Sequence, residues 1–160
     1  MKKQLLPYSL VNHFATKKIL WLLCLLCLFF TSKAQTPSLM AIGNVLGVPG
    51  DMKFSELKSI LMGEKQRWKN GDRILIALMK TNTAVGKATS EKVYDMSGDE
   101  LNKFWLALVF QGKAQAPKFF ASADELEDFV AQNPGAIGIV DRPLTGSEIK
   151  YININGQKIL

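Results

Sequence analysis

The sequence predicts an α/β domain of three layers, α/β/α, in which helices cover both faces of a mostly parallel sheet. Three observations lead there. Two short runs, Ile74-Leu75-Ile76-Ala77-Leu78-Met79 and Ala136-Ile137-Gly138-Ile139-Val140, are apolar at every position, as strands buried on both faces require. Between and around them lie segments with apolar residues at helical spacing and polar residues elsewhere. Residues 122–140 join the two patterns: Ser122 and Glu125 stand at capping-box spacing, Leu126, Phe129 and Val130 form one stripe, Asn133-Pro134-Gly135 ends the helix, and the second apolar run follows at once.

The first 34 residues carry a different pattern. Lys2, Lys3, Lys17 and Lys18 precede an apolar run of 12 residues, 19–30, and Ser32-Lys33-Ala34 places small residues where a signal peptidase reads them. Residues 1–34 are therefore expected to be a signal peptide cut after Ala34, followed by one domain over residues 35–160. The competing reading is an uncleaved anchor, but crossing a bilayer takes about 20 apolar residues. The whole chain has a formal charge of +6, yet five of its 20 basic residues and none of its 14 acidic ones lie in 1–34, which leaves 15 against 14, or +1. A near-neutral domain offers no footprint for nucleic acid. Cys24, Cys27 and His13 also fall in the segment to be removed, so the exported domain has no disulfide, no imidazole-built metal site and neither a Ser-His nor a Cys-His pair. No catalytic residue, metal or cofactor is expected.

Taken in order, residues 35–38 form a lead-in and residues 39–45 a first strand interrupted by Gly43. Gly47, Pro49, Gly50 and Asp51 mark residues 46–53 as a loop. Ser55 is expected to cap a helix over 56–62 whose Leu57, Ile60 and Leu61 share a face and which Gly63 terminates. Trp68, in the charged connector 64–69, is expected as a lid over the core edge, with a stacking platform for a ligand as the alternative. Asn70-Gly71 turns the chain into the second strand, 74–79.

Lys80-Thr81-Asn82-Thr83-Ala84 leads from that strand into a helix reaching about Tyr94. Hydroxyls, unpaired backbone N–H groups and the positive end of a helix dipole meet here, which makes these five residues the candidate oxyanion-binding site. The plainer alternative is that Thr81 or Thr83 only caps the helix. Ser97 and Glu100 open a further helix with a stripe of Leu101, Phe104, Trp105, Leu108 and Val109. A loop over 111–117, a short extended piece over 118–120, and the helix and strand of 122–140 follow. Asp124, Glu125, Glu127 and Asp128 are expected on a solvated helix face. The tail should hold a turn at 143–146, a strand over 149–154, an Asn155-Gly156 turn and a short hairpin arm over 157–160.

With its elements in this order the chain resembles the short, one-lobe relatives of the periplasmic phosphate-binding protein of ABC transporters. The resemblance rests on Leu57-Lys58-Ser59-Ile60-Leu61-Met62-Gly63 leading to Trp68-Lys69-Asn70-Gly71, on Phe104-Trp105 with Phe110-Gln111-Gly112-Lys113 and Ala116-Pro117, and on Asn133-Pro134-Gly135-Ala136-Ile137-Gly138-Ile139-Val140. It implies one lobe of a type II periplasmic-binding-protein fold. In two-lobed members an oxyanion lies between the lobes, held partly by a Ser-Gly-Thr segment at a helix start with an Arg just before it. Thr83-Ala84-Val85 occupy the matching positions, and Met79 or Lys80 that of the Arg. The hydroxyl and a charge persist, but Ala84 and Val85 replace the Gly and Thr, and the second lobe is absent.

The resemblance implies an exported, periplasmic solute-binding protein that takes phosphate or a similar small oxyanion for an ABC-type uptake or sensing system, with a permease as partner. The alternative is a non-catalytic envelope interaction or scaffold module that has lost solute binding; a missing lobe would expose a cleft face to an envelope protein or to a second copy in a homodimer.

Overall fold

A computed structural model describes residues 37–160; the expected signal segment lies outside them. The elements are β1 (Met40–Asn44), β2 (Asp51–Met52), α1 (Phe54–Leu61), β3 (Leu75–Met79), α2 (Ala84–Lys92), α3 (Gly98–Phe110), β4 (Lys118–Phe120), α4 (Ala123–Gln132), β5 (Ala136–Val140) and β6 (Ile149–Ile154). The six strands form one sheet in the order β2-β6-β1-β5-β3-β4. Pairs β2/β6, β3/β4 and β3/β5 are parallel, and β1 is antiparallel to both β5 and β6. Five strands thus run one way and β1 alone opposes them, the mostly parallel sheet expected.

The layering follows from the connections. The chain passes from β3 to β4 through α2 and α3, then returns from β4 past β3 to β5 through α4. Right-handed crossovers in opposite directions along the sheet put their helices on opposite faces. All five residues of β5 are buried accordingly. A Cβ at Gly138 would lie 2.8 Å from Leu126 Cδ2, so α4 presses directly on that strand. The sheet edges are short, two residues in β2 and three in β4. Brief edges leave little backbone for another chain to pair with.

Local chemistry accounts for the helix ends. Ser97 and Glu100 form the full capping box of α3, and the Ser97 backbone N–H holds the Glu100 carboxyl below its ordinary range. In α4 the Ser122 hydroxyl accepts from the Glu125 N–H, but the Glu125 carboxylate reaches one residue further back, to the Ala121 N–H. The far end of α4 is closed from outside: Asn44 Nδ2 donates to the carbonyls of Val130 and Ala131 at 2.9 and 2.8 Å, and its Oδ1 accepts from Leu46 N–H. Gly135, at φ 80°, takes the left-handed position, and a side chain there would strike the Arg73 carbonyl. Trp68 is a lid, 4% exposed, and its indole N–H donates to the Gly135 carbonyl at 2.8 Å.

Several expectations are corrected. Lys53, not Ser55, is the N-cap of α1, and no side chain caps it; Ser55 is already helical. The loop 46–53 contains β2, whose two residues are too few for a periodic signal. Val109 faces water at 42% exposure, because only Leu101 and Trp105 of α3 are deeply buried. The turn in the tail falls at Ser147-Glu148; residues 143–146 are irregular, with Leu144 N–H bonded to the Tyr151 hydroxyl. Beyond Asn155-Gly156 a single bridge, Ile154 to Gln157, replaces the hairpin arm, and Leu160 N–H bonds instead to Leu39.

Asn44→Ala would leave two carbonyls at the end of α4 without their donor. A loss of about 2 to 3 kcal/mol in stability is expected, measurable by urea denaturation, with an unchanged far-UV spectrum.

Candidate functional site

The carboxyl ends of β3, β4 and β5 form one edge of the sheet. Lys80 N–H donates to the Phe120 carbonyl, and the pairing of Ala77 with Gly138, carried three residues on, sets Lys80 level with Asp141. In open α/β sheets ligands bind outside the carboxyl ends of parallel strands. Residues 80–84 sit at that end of β3, with the start of α4 and the β5 exit on the same edge.

The five candidate residues fall together but do different things. Lys80, Asn82 and Ala84 are exposed, while Thr81 and Thr83 are half-buried. None of the five ion pairs among the described residues involves Lys80. Met79, the other position matched to the Arg of two-lobed members, is 7% exposed and belongs to the core, so a cation at this place comes from Lys80. Thr83 is the N-cap of α2: its Oγ1 accepts from Gly86 N–H at 3.0 Å and donates to the Lys80 carbonyl at 2.8 Å. Thr81 Oγ1 accepts from Asn102 Nδ2 of α3 at 3.2 Å. The capping alternative therefore holds for the Thr83 hydroxyl, whose proton is engaged. The N–H groups of Ala84 and Val85, in the first turn, have no acceptor among the described residues. What the arrangement offers an anion is two amides, a helix dipole and one exposed ammonium.

Gly86 fixes the position of these amides. A Cβ there would stand 2.0 Å from the Lys80 carbonyl oxygen and 2.8 Å from that of Met79. The first turn of α2 thus lies directly against the end of β3, closer than any larger residue permits.

On the same edge the structure reveals a group that sequence reasoning misplaced. Glu127 is 4% exposed rather than solvated. Its Oε1 accepts from Arg142 Nε at 2.9 Å and its Oε2 from the Thr145 hydroxyl at 3.0 Å, while Arg142 also pairs with Asp124. Asp124 and then Glu127 raise the Arg142 pKa further above its usual range. Arg142 stands two residues beyond β5; an Arg just past the end of a fully apolar strand was the available signal. Both its carboxylate partners neutralise it, so it anchors the segment after β5 to α4 and leaves Lys80 as the cation facing solvent.

Two cavities open away from this edge, and neither is lined by residues 80–84. One of about 160 Å³ lies near the amino end of β3, with Gln66, Arg73, Ile76, Lys118 and Phe129 among its walls. The other, of about 400 Å³, lies between the loop after β1 and the connector carrying Trp68 and Asn70. Among the described residues no cluster of His, Cys, Asp and Glu could hold a metal ion, and no helix is long and apolar enough to cross a membrane.

This architecture is one lobe of the type II periplasmic-binding-protein fold. The chain is similar to an ABC-type phosphate transport receptor from Vibrio cholerae, with a TM-score of 0.56 at 15% identity over 78% of this chain and 49% of that one. A possible phosphate binding protein from Planctomyces limnophilus gives 0.54 at 15% identity, covering 75% and 43%. A Clostridium perfringens protein assigned as a phosphate ABC transporter substrate-binding protein, with bound phosphate, gives 0.53 at 13% identity, covering 76% and 46%. The chain therefore spans about half the length of the proteins whose fold it shares. No protein-family model and no curated protein matches the sequence.

Gly86→Ala should cost roughly 3 kcal/mol, since the new methyl meets backbone that cannot yield locally, and the loss is read from a denaturant midpoint. Arg142→Ala would strand a buried carboxylate. Removing one partner of a fully buried pair costs roughly 3 to 5 kcal/mol; because the Arg142 side chain is 33% exposed, a cost of about 2 kcal/mol is expected. A double-mutant cycle with Glu127→Gln should recover part of it.

Proposed function

We propose that the chain is an exported solute-binding module that captures phosphate or a similar small oxyanion at residues 80–84 for an ABC-type uptake or sensing system. The observation that carries this reading is the exposed Lys80, in no ion pair among the described residues, next to the N–H groups of Ala84 and Val85, which find no acceptor among them, on the edge of the sheet where α/β folds bind ligands. The fold shared with phosphate-transport proteins supports it. Export fits the charged, apolar and small-residue pattern of residues 1–34, with a signal peptide removed after Ala34 and a periplasmic domain over 35–160. The reading assigns binding rather than catalysis, and an ABC permease as the protein that receives the solute.

A half-site open to water weakens every charge interaction within it. The affinity is accordingly low, with a Kd of about 1 mM, and it falls with added salt. A second reading, an envelope interaction module without solute, is favoured by one specific observation: the Thr83 hydroxyl is already engaged with the Lys80 carbonyl and the Gly86 N–H.

Titration calorimetry of the exported protein with inorganic phosphate separates the two. Lys80→Ala should weaken binding by about tenfold, and Thr83→Val should weaken it less, through displacement of the helix start. No heat with phosphate at about 10 mM would exclude the solute reading, since a site with a Kd of about 1 mM is mostly filled there.

A further inference from the structure

At their amino ends β3 and β4 part from one another. Their pairing begins only at Ala77 with Lys118, and the cavity of about 160 Å³ opens between residues 74–76 on one side and 114–116 on the other. Leu75 N–H donates to the Gly135 carbonyl, toward β5, and Lys80 N–H to the Phe120 carbonyl, toward β4. Successive residues of a strand turn their N–H groups to opposite sides, so Ile76 turns its own toward β4, as Lys80 does. There the Ile76 N–H has no acceptor among the described residues. A backbone donor beside a cavity with no partner in the fold is an opening for one from outside.

The charge around this donor is of one sign. Lys65, Arg73 and Lys118 stand in the cavity walls, and no Asp or Glu does. Glu56 holds the Lys65 ammonium, but neither Arg73 nor Lys118 enters an ion pair among the described residues. Lys118 is positioned by an aromatic ring instead: its Nζ lies 4.7 Å from the centroid of Phe129, which itself packs on Phe120. Arg67 pairs directly across from Arg73 and adds to the positive potential. The remaining wall is apolar, supplied by Ile74, Ile76 and Phe129. Gln66 Nε2 donates to the carbonyls of Gly63 and Lys113, which ties the connector to the loop before β4 and holds the gap open.

We propose that this cavity binds a small organic monocarboxylate with an aromatic or branched aliphatic body. A cavity of about 150 Å³ accommodates a ring the size of benzene. The carboxylate meets the Ile76 N–H and the Arg73 and Lys118 cations, while the body covers Ile74, Ile76 and Phe129. A bare inorganic anion would leave that apolar wall wet, and an uncharged ring would leave the cations without a partner. The site is separate from the seat at residues 80–84: Ile76 precedes Lys80 by four residues, about 13 Å along the strand. It stands whether or not phosphate binds there.

Titration of the exported protein with sodium benzoate in phosphate-free buffer, followed by amide NMR, tests this. The Ile76 resonance should move and saturate with a Kd of about 1 mM. Acetate, which lacks the body, and benzyl alcohol, which lacks the charge, should each bind about tenfold more weakly. Arg73→Gln and Lys118→Met, both at exposed positions, should each raise the benzoate Kd by about fivefold with an unchanged thermal melt, and phosphate at about 10 mM should not displace benzoate. No saturable movement of Ile76 up to about 30 mM benzoate overturns the proposal. So does benzyl alcohol binding as tightly as benzoate, an unchanged Kd in the Arg73→Gln, Lys118→Met double variant, or displacement by phosphate.

Discussion

The structure depends on the complete burial of β5. Ala136, Ile137, Gly138, Ile139 and Val140 give the sheet apolar side chains on both faces, and neither face is stable until a helix covers it. Two crossovers in opposite directions supply that cover, α4 on the face of Gly138 and α2 with α3 on the other. Burying each large aliphatic residue there contributes on the order of 1.5 to 3 kcal/mol before entropy is counted. In a domain with neither cysteine nor metal cluster among the described residues, this packing takes the place of a staple. The same requirement brings the ends of β3, β4 and β5 to one edge, and so determines where Lys80, Ser122 and Arg142 stand.

Much of this was legible in the sequence because its signals are local. The apolar runs, the Ser97 and Glu100 capping box and the Asn70-Gly71 turn each follow from residues close in the chain; the Trp68 lid follows from the size of its apolar ring, although its partner Gly135 is distant. What escaped depends on distant partners. Glu127 sits among acids on a helix, and only Arg142 and Thr145, 15 and 18 residues on, explain its burial. Asn44 closes a helix that ends 88 residues later, a role no spacing rule encodes. The reversed direction of β1 is equally silent, since side chains alternate alike in parallel and antiparallel strands. The outward turn of Val109 is a matter of helix rotation by a single position.

The candidate seat shows the same division. Its place was legible, because a strand end followed by Thr, Asn and Thr at a helix start is a local pattern. How its groups are spent was not. Thr83 uses its hydroxyl within its own turn, and Thr81 receives Asn102 from the neighbouring helix. The resource left for a ligand is backbone amide and lysine charge, which recognise negative charge without fixing the shape of what carries it.

Gly86 carries a consequence for how an occupied seat could be noticed. With α2 pressed onto the Lys80 and Met79 carbonyls, the first turn of α2 has no slack against the end of β3. Arrival of an anion would therefore change the local field and leave that contact as it was. A membrane receptor able to tell loaded from empty at this edge would have to sense charge rather than a displaced helix.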